Sequence, residues 1–313
     1  MNAVGPDVEP RILVVILNWN GLADTISCLR TLQESTYSNV KILVVDNGSF
    51  TDEAESIRKA YGGYVDVVRL EQNTGFANGS NIGLLAALSG PYKYVLLLNN
   101  DTQVDSEAIQ ELVRAAELNP DGGAYGPLIV GYGVNARTPL AGGRILVWRG
   151  TSVSHTEDLV KLKEKDEPFT TGWLSGAALL LRTAMIREIG ILDSVYFSYM
   201  EDTDLELRML MRGWLLYCVP TALIYHRVAS STDFFSRIRV NSWARNRLIL
   251  VSRFGTVGDV LAFSVLFFAW VIPTHFMLGI LLGSGRITIH DVPRFACSVL
   301  RGVAGGVVEI IRR

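Results

Sequence analysis

The stretch Tyr94-Val-Leu-Leu-Leu-Asn-Asn-Asp-Thr-Gln-Val-Asp105 opens with five residues that are typical of a strand buried on both faces of a parallel sheet. In open α/β sheets ligands bind at the carboxyl ends of the strands, and Asp101 stands at such an end. A carboxylate beside Asn99 and Asn100 suits a divalent cation that bridges to a phosphate. The same residues also suit a turn before a helix, so both interpretations stay open at this point.

Strands and helices alternate in the chain before this stretch. Short apolar runs predict strands at 12–17, 42–45 and 65–70, with helical spacing of apolar residues between them. The strands are followed by polar or glycine-containing loops that include Asn18, Asp46 and Gly75. Because right-handed crossovers place the carboxyl ends of parallel strands at one edge, these residues and Asp101 should lie near one another. The predicted fold is therefore α/β, with a mostly parallel sheet flanked by helices.

A segment rich in glycine and asparagine at 73–83 should form a loop that runs into a helix before Tyr94. Its glycines, Gly75, Gly79 and Gly83, allow either close backbone approach to a nucleotide or only tight turns and helix–strand packing. The dinucleotide and P-loop fingerprints G-x-G-x-x-G and G-x-x-x-x-G-K-[ST] do not follow any of the predicted strands. This absence argues against a dinucleotide enzyme and against a P-loop phosphotransferase.

The second half of the chain is less regular. We assign no structure to the glycine- and proline-rich segment 119–150, and we expect a surface loop at 151–168. Further strands are predicted at 177–181 and 215–219, with a helix after Tyr199 between them. Acidic residues in the first turn of that helix are favoured by its dipole, which is a structural reading of Glu201 and Asp202. A single histidine such as His226 is more often structural than a ligand.

Charge is distributed unevenly along the chain. From residue 234 onward there are ten arginines, no lysine and three acidic residues, a net charge of +7, whereas the whole protein has a net charge of −2. The chain shows no basic stripe with interleaved aromatics in its first two-thirds, so we expect no nucleic-acid partner. A basic, apolar tail behind an acidic body is the asymmetry expected of a protein that lies against an anionic membrane.

The tail contains an apolar run at 260–282, interrupted by Pro273, and an amphipathic basic segment at 292–311. The run is long enough to cross a bilayer, so monotopic or re-entrant attachment, a true span, and a soluble or dimer-forming helical tail all remain open. Three widely spaced cysteines, Cys28, Cys218 and Cys297, indicate buried thiols in a reducing compartment rather than disulfides or a zinc site.

Seven motifs, taken together and in order, resemble those of the family 2 glycosyltransferases, especially the bacterial rhamnosyltransferase-like branch. They are Val15-Ile-Leu-Asn-Trp-Asn-Gly, Val44-Val-Asp-Asn-Gly-Ser, Asn73-Thr-Gly-Phe-Ala-Asn-Gly-Ser-Asn-Ile-Gly, Leu97-Leu-Asn-Asn-Asp, Trp173-Leu-Ser-Gly-Ala, Met200-Glu-Asp-Thr-Asp and Tyr225-His-Arg. The resemblance extends over residues 11–255. It implies a GT-A fold and transfer of a sugar from a nucleotide diphosphate donor, with inversion at the anomeric carbon.

The resemblance also implies roles for individual residues. Asp202 would be the general base, with Glu201 beside it in the catalytic motif. Asp101 corresponds to the last acid of the D-x-D motif and would bind Mg²⁺ or Mn²⁺, with His226 as a further contact. Because Asn99 replaces the first acid of that motif, strict metal dependence is in doubt. The residues implied in nucleotide-sugar binding are Asn18, Asp46, Gly75, Asn81 and Asn100, and those on the acceptor side are Trp173 and Ser175.

The resemblance suggests a glycosyltransferase domain at 1–255, and the apolar, basic tail suggests a membrane-associating helical segment at 256–313. The expected donor is dTDP-L-rhamnose or another dTDP- or UDP-linked sugar, and the expected acceptor is a lipid-linked or cell-surface glycan such as a polyprenyl diphosphate. Such an enzyme would work at the cytoplasmic face of the bacterial inner membrane, peripherally or monotopically, and a homodimer remains open. The alternatives are a nucleotidyltransferase and a non-catalytic sugar-nucleotide-binding protein. A nucleotidyltransferase should carry a basic glycine-rich loop after its first strand, and the loop at 18–21 contains no arginine or lysine.

Overall fold

Within the residues that the computed structural model describes, namely 9–132, 139–154, 166–227, 237–267, 269 and 301–310, nine strands form one sheet. The strands of its first half are β1 (Ile12–Asn18), β2 (Val40–Asp46), β3 (Val65–Arg69), β4 (Tyr94–Asn99) and β5 (Thr102–Val104). The helices between and after them are α1 (Leu22–Gln33), α2 (Glu53–Tyr61), α3 (Gly75–Ser89) and α4 (Ala108–Leu118). The predicted alternation of strand and helix is confirmed in this half.

The second half adds strands and helices around the same sheet. Its strands are β6 (Gly122–Tyr132), β7 (Gly143–Leu146), β8 (Thr151–Ser154), β9 (Phe169–Thr171), β10 (Ala178–Arg182) and β11 (Leu215–Arg227). Its helices are α5 (Thr183–Ile189), α6 (Glu201–Met211), α7 (Arg237–Phe254) and α8 (Val257–Leu266). A 3₁₀ turn (Val147–Arg149) joins β7 to β8, which pair with each other outside the main sheet.

The sheet order is β3-β2-β1-β4-β10-β6-β11-β5, with β9 also paired to β11. Strands β1 to β4 are parallel, β10 runs antiparallel to both β4 and β6, and β11 runs parallel to β6. In register, Asn18 of β1 lies opposite Asp46 of β2, and Leu17 lies opposite Asn99 of β4. The expected meeting of these strand ends at one edge is confirmed.

Alternate side chains of the central strands pack on opposite faces of the sheet, as the period of two along a strand requires. Ile12 and Val14 of β1 belong to the core shared with α1, α2 and α4. Leu13 and Val15 belong to the core shared with α3, α5 and α6. Because both faces are covered, the central strands consist of almost continuous apolar residues.

Several local predictions differ from the structure. Segment 119–150 contains β6, a long central strand whose opening glycines and Pro127 conceal it in the sequence. The strand predicted at 215–219 is the first part of a longer strand, β11, which changes register between Val219 and Leu223. The expected loop at 151–168 includes β8 at its start, and its residues 155–165 lie outside the described part of the chain.

The glycine-rich segment 73–83 was also expected to be a loop, but most of it is helical, because α3 begins at Gly75. A Cβ at Gly83 would overlap with the side chain of Val15, and one at Gly79 would meet Leu17. These two glycines therefore let α3 pack directly on β1, which is the packing alternative left open by the sequence.

Among the helices that the structure describes, none is both long and apolar enough to cross a membrane. The apolar run 260–282 is described only in part, through α8 and the residues that follow it, and most of its remainder lies outside the described residues. Of the amphipathic segment 292–311, residues 301–310 are helical and approach α7, where Arg245 lies 3.8 Å from Glu309.

We predict that Gly83→Ala destabilises the protein through overpacking against Val15. Overpacking typically costs about 1–3 kcal/mol, and the higher helix propensity of alanine offsets about 1 kcal/mol of that cost. Urea unfolding of the wild type, Gly83→Ala, Val15→Ala and the double variant measures the effect. In the double variant, the space left by Val15→Ala should remove the destabilisation caused by overpacking. If the losses of the two single variants simply add in the double variant, the contact with Val15 is not the cause of the destabilisation.

Candidate active site

A cavity of about 830 Å³ opens at the carboxyl ends of the central strands. It is formed by the ends of β1 and β4, the start of α3, the segment before β10 and the start of α6. The predicted site residues among its lining are Gly75, Asn100, Asp101, Trp173, Ser175, Glu201, Asp202 and His226. The fold thus brings together residues that lie far apart in sequence.

Asn18 and Asp46 lie at the same sheet edge but are fully buried, and they do not belong to the cavity lining. Asn18 Nδ2 donates to Asp46 Oδ1 at 3.2 Å and to Glu53 Oε2 at 2.8 Å. Asp46 Oδ1 also accepts a hydrogen bond from the Ser49 hydroxyl. Among the described residues, Asp46 Oδ2 has no hydrogen-bond partner, and the Nε atom of Arg69 lies 3.6 Å away. One carboxylate oxygen is therefore left with acceptor capacity.

Asn47, which the sequence analysis did not single out, organises the neighbouring turn and lines the cavity. Its Nδ2 donates to the Gly75 carbonyl at 3.0 Å, and its Oδ1 accepts from the Thr74 N–H at 3.0 Å. Gly75 has a φ of +86°, and a Cβ there would overlap with Phe197. Glycine is needed at this position for both reasons. The Asp46-Asn47 pair in the second motif was the available signal for Asn47.

Asn81 is placed differently from the other predicted residues. It is buried within α3, where its Nδ2 donates to the Leu192 carbonyl at 2.9 Å and its Oδ1 accepts from the Leu192 N–H at 3.1 Å. It does not belong to the cavity lining. These paired bonds give Asn81 a structural role in joining α3 to the segment before α6.

Asp101 and His226 meet at the end of β4. Strand β11 pairs antiparallel with β5, and this pairing places His226 Nε2 3.0 Å from Asp101 Oδ1. Asn100 turns towards α1, where its Nδ2 donates to Thr25 Oγ1 at 3.0 Å. Among the described residues, no group of three or more His, Cys, Asp or Glu side chains gathers as a metal site would require. Asp101 and His226 therefore offer two potential metal ligands, without a third side chain of these types among the described residues.

Glu201 and Asp202 occupy the first turn of α6 and line the cavity together with the end of β1. Thr203 N–H donates to Asp202 Oδ1 at 2.7 Å, and a Cβ at Gly176 would overlap with Asp202 Oδ2. Burial raises the pKa of Asp202, although the hydrogen bonds from Thr203 oppose this effect. The helix dipole favours the ionised form of an acidic residue in the first turn, but desolvation is the largest influence on the pKa of Asp202. Asp202 is thereby more basic than an ordinary carboxylate.

Two neighbouring carboxyls are buried still more deeply. Burial, and then the charge of Asp202, raise the pKa of Glu201 and of Glu206 well above the ordinary value. Glu206 Oε1 accepts a hydrogen bond from the Leu174 N–H at 3.0 Å and so holds the segment that carries Trp173. The sequence analysis missed Glu206 because nothing in the pattern of an amphipathic helix distinguishes a buried carboxyl from a solvated one.

Comparison with known proteins identifies the family. The sequence model described as glycosyl transferase family 2 matches residues 13–188. The chain belongs to this family. The predicted family is confirmed, and the protein is a glycosyltransferase.

The glycosyltransferase is 31% identical over 223 residues to the N-acetylglucosaminyl-diphospho-decaprenol L-rhamnosyltransferase of Mycobacterium tuberculosis, a match that spans 65% of this chain and 72% of the relative. It is 22% identical over 228 residues to the dTDP-rhamnosyl transferase RfbF of Shigella flexneri, with 72% of each chain covered.

Solved structures share the fold of this family 2 glycosyltransferase. GalNAc-T7, solved with UDP, GalNAc and Mn²⁺, matches with a TM-score of 0.63 and 18% identity over 77% of this chain and 48% of its own. Residues 1–349 of S. aureus TarS in complex with UDP match with a TM-score of 0.56 and 13% identity over 96% of this chain and 82% of the other. At these identities the likeness establishes the fold alone.

We predict that the free energy of unfolding of the Glu206→Gln variant increases relative to that of the wild type as pH rises. A carboxyl whose folded-state pKa is raised above 4.5 binds its proton more tightly when folded, so stability is lost as pH increases through the folded-state pKa. Glutamine carries no charge and escapes this loss. Unfolding free energies of wild type and variant at pH 5 and pH 8 test this, with the exposed Glu34→Gln as a control. An effect of Glu206→Gln that is equal at both pH values would contradict the expectation.

Proposed function

We propose that this glycosyltransferase moves a sugar from a nucleotide diphosphate donor to an acceptor hydroxyl in a single inverting displacement. The observation that carries the proposal is that Asp202 and Asp101, supplied by α6 and by the end of β4, line one cavity. An inverting displacement needs a base that takes the acceptor proton and, across the anomeric carbon, groups that stabilise the departing diphosphate. Asp202 is assigned the first role and the Asp101 side the second.

The proposed donor is dTDP-L-rhamnose. The names of the relatives from M. tuberculosis and S. flexneri, an L-rhamnosyltransferase and a dTDP-rhamnosyl transferase, support this choice. Thymine and uracil each carry an imide N–H, and Asp46 Oδ2, although buried in this structure and 3.6 Å from Arg69 Nε, accepts no hydrogen bond from the described residues and is the proposed acceptor. Asn47 and Gly75 would contact the donor from the cavity wall. UDP-linked sugars fit the same chemistry and remain the competing donors.

A divalent cation fits the residues at the end of β4. The Asp101 carboxylate and the His226 imidazole form an oxygen and nitrogen donor pair that Mn²⁺ accepts readily, and Mg²⁺ would rely mainly on the carboxylate. When bound, the cation would supply positive charge beside the diphosphate. Asn99 offers a neutral oxygen where the resembled motif has a second carboxylate, so Asp101, His226 and Asn99 are the residues that would hold the cation.

The proposed acceptor is a lipid-linked glycan. The M. tuberculosis relative is named for a decaprenol-diphosphate acceptor, and Trp173 and Ser175 line the cavity beside Asp202. An acceptor hydroxyl is a weak acid, so a base with a raised pKa is better matched to remove its proton than an ordinary carboxylate. Burial of Asp202 against Gly176 therefore favours the proposed chemistry.

We further propose that the segment 256–313 binds the membrane at its cytoplasmic face, leaving 1–255 as the glycosyltransferase domain. Helix α8 exposes Val257, Leu261 and Val265, at 79%, 64% and 69% of their surface, along one stripe with a spacing of four residues. The net charge of +7 after residue 233 adds attraction to anionic lipids. An exposed apolar stripe of this kind in a basic region suits an interfacial helix.

We predict that Asp202→Asn removes transfer but not donor binding. The amide keeps the shape of the side chain but cannot accept the acceptor proton, and general-base catalysis supplies about 10²–10⁴-fold. The kcat with dTDP-rhamnose and an acceptor analogue should fall by that order, while calorimetry finds the Kd for dTDP nearly unchanged. In the wild type, the raised pKa should shift the acid limb of the kcat profile above the ordinary aspartate range.

Asp101→Asn is the matched variant at the end of β4. It should raise the Kd for the donor and weaken any dependence on Mg²⁺ or Mn²⁺, because a neutral amide holds a hard cation less tightly than a carboxylate. If Asp202→Asn retains most of the wild-type kcat, Asp202 is not the base. Another group then has that role, or the proposed mechanism is wrong.

We predict that Leu261→Glu/Val265→Glu weakens binding to vesicles of phosphatidylglycerol and phosphatidylethanolamine by at least about tenfold, since burying each apolar side chain contributes about 1.5–3 kcal/mol. Vesicle sedimentation at low salt measures the binding. Leu118→Glu, at an exposed leucine on α4, is the control and should bind as the wild type does. Equal binding by all three proteins would assign the stripe on α8 to another contact.

A further inference from the structure

Helix α7 supports residues 197–200, the segment that leads into α6. Its residue Asn246 is fully buried, and its single amide nitrogen donates to the carbonyls of Ser198 and Tyr199 at 2.9 Å and 2.8 Å. The side-chain oxygen of Asn246 accepts a hydrogen bond from Arg245 Nη1 at 3.0 Å, which fixes the orientation of the amide. Arg245 also donates to the carbonyl of Val195.

The supported segment has an unfavourable backbone conformation. Tyr199 and Met200 have φ values of 73° and 75°, in the left-handed region that residues with a Cβ rarely adopt. Two consecutive residues of this kind persist only where the surroundings hold them. At the other end of the segment, the Phe197 carbonyl accepts from the Phe76 N–H at 2.6 Å, so α3 holds it there.

The strained pair leads directly into the proposed catalytic residues. Met200 is the residue before α6, and its carbonyl accepts the first hydrogen bond of the helix, from Asp204 N–H at 2.9 Å. Glu201 and Asp202 follow immediately, and the whole segment 197–203 lines the cavity. A change in the backbone at Tyr199 would therefore move Asp202 relative to the bound donor.

We propose that Asn246 is a positioning residue for the transfer reaction. Its amide holds the carbonyls of Ser198 and Tyr199 so that Met200 keeps its left-handed conformation and Asp202 its place in the cavity. This inference rests on the proposed role of Asp202 as the base. It adds a residue that lies outside the cavity lining, on a helix beyond the part of the chain matched by the family model.

The experiment compares Asn246→Ala and Asn246→Asp with Val251→Ala. Aspartate keeps the shape and the Arg245 contact but cannot donate to the two carbonyls. Val251 is buried on the same helix and belongs to a hydrophobic cluster with Ala244, Leu248 and Phe263, separate from the cluster that contains Tyr196. Val251→Ala therefore reports the effect of loosening α7 without removing the two hydrogen bonds.

Both Asn246 variants should lower kcat by about a hundredfold, since a displacement of about 1 Å at the reacting groups can cost that much. The Kd for dTDP should stay within about threefold, because α3 and the turn held by Asn47 are untouched. Hydrogen exchange should become faster for the amides of 198–204 in these variants. Val251→Ala should lower the melting temperature with little effect on kcat or on exchange in this segment.

A kcat for both Asn246 variants that falls no further than that of Val251→Ala would overturn the proposal. If Asn246→Ala does not fold, Asn246→Asp alone decides. Should the wild type transfer no sugar from any tested donor, the proposed function itself fails. The hydrogen-exchange rates of residues 198–204 would then still test whether Asn246 holds this segment in place. Unchanged rates in the Asn246 variants would overturn that inference.

Discussion

The parallel pairing of β1 with β2 on one side and β4 on the other is the constraint on which the rest of the molecule depends. It sets Asn18 opposite Asp46 and Leu17 opposite Asn99, so that three strands end in polar residues at one edge. A slip of one residue in either pairing would turn every side chain of β1 to the other face and remove its apolar contacts from both cores. The part of the cavity at the strand ends therefore takes its geometry from the packing of the sheet.

The part of the cavity formed by α6 depends on buried carboxyls rather than on strand register. Glu201 and Asp202 lie in the first turn of α6 and Glu206 lies in its second turn, and desolvation raises the pKa of each. Keeping such groups buried is unfavourable above their folded-state pKa values, and the left-handed residues before α6 add backbone strain of about 1–3 kcal/mol each. The cores on both faces of the sheet offset these costs, which is how strained functional groups persist in a folded protein.

Some features could be predicted because they depend on local pattern. The strands at 12–17, 42–45 and 94–98 and the polar groups at their ends were evident from apolar runs followed by turn residues, and the ordered motifs identified the family. Strand β6 escaped prediction because its glycines and proline normally signal a loop. It forms a strand only because β10 and β11 supply partners on both sides, so tertiary pairing outweighs local propensity.

The sequence by itself determined the α/β alternation, the shared edge of the strand ends, and the presence of Asp101 and Asp202 in motifs of one family, since all of these follow from side-chain period and residue order. Only the tertiary structure decided which polar residues face the cavity. Asn47 lines it, whereas Asn81 is turned away to Leu192, although both are asparagines in quoted motifs. The burial of Glu206 and the support of Tyr199 by Asn246 likewise depend on elements distant in sequence, because burial and hydrogen-bond partners are properties of the packed chain.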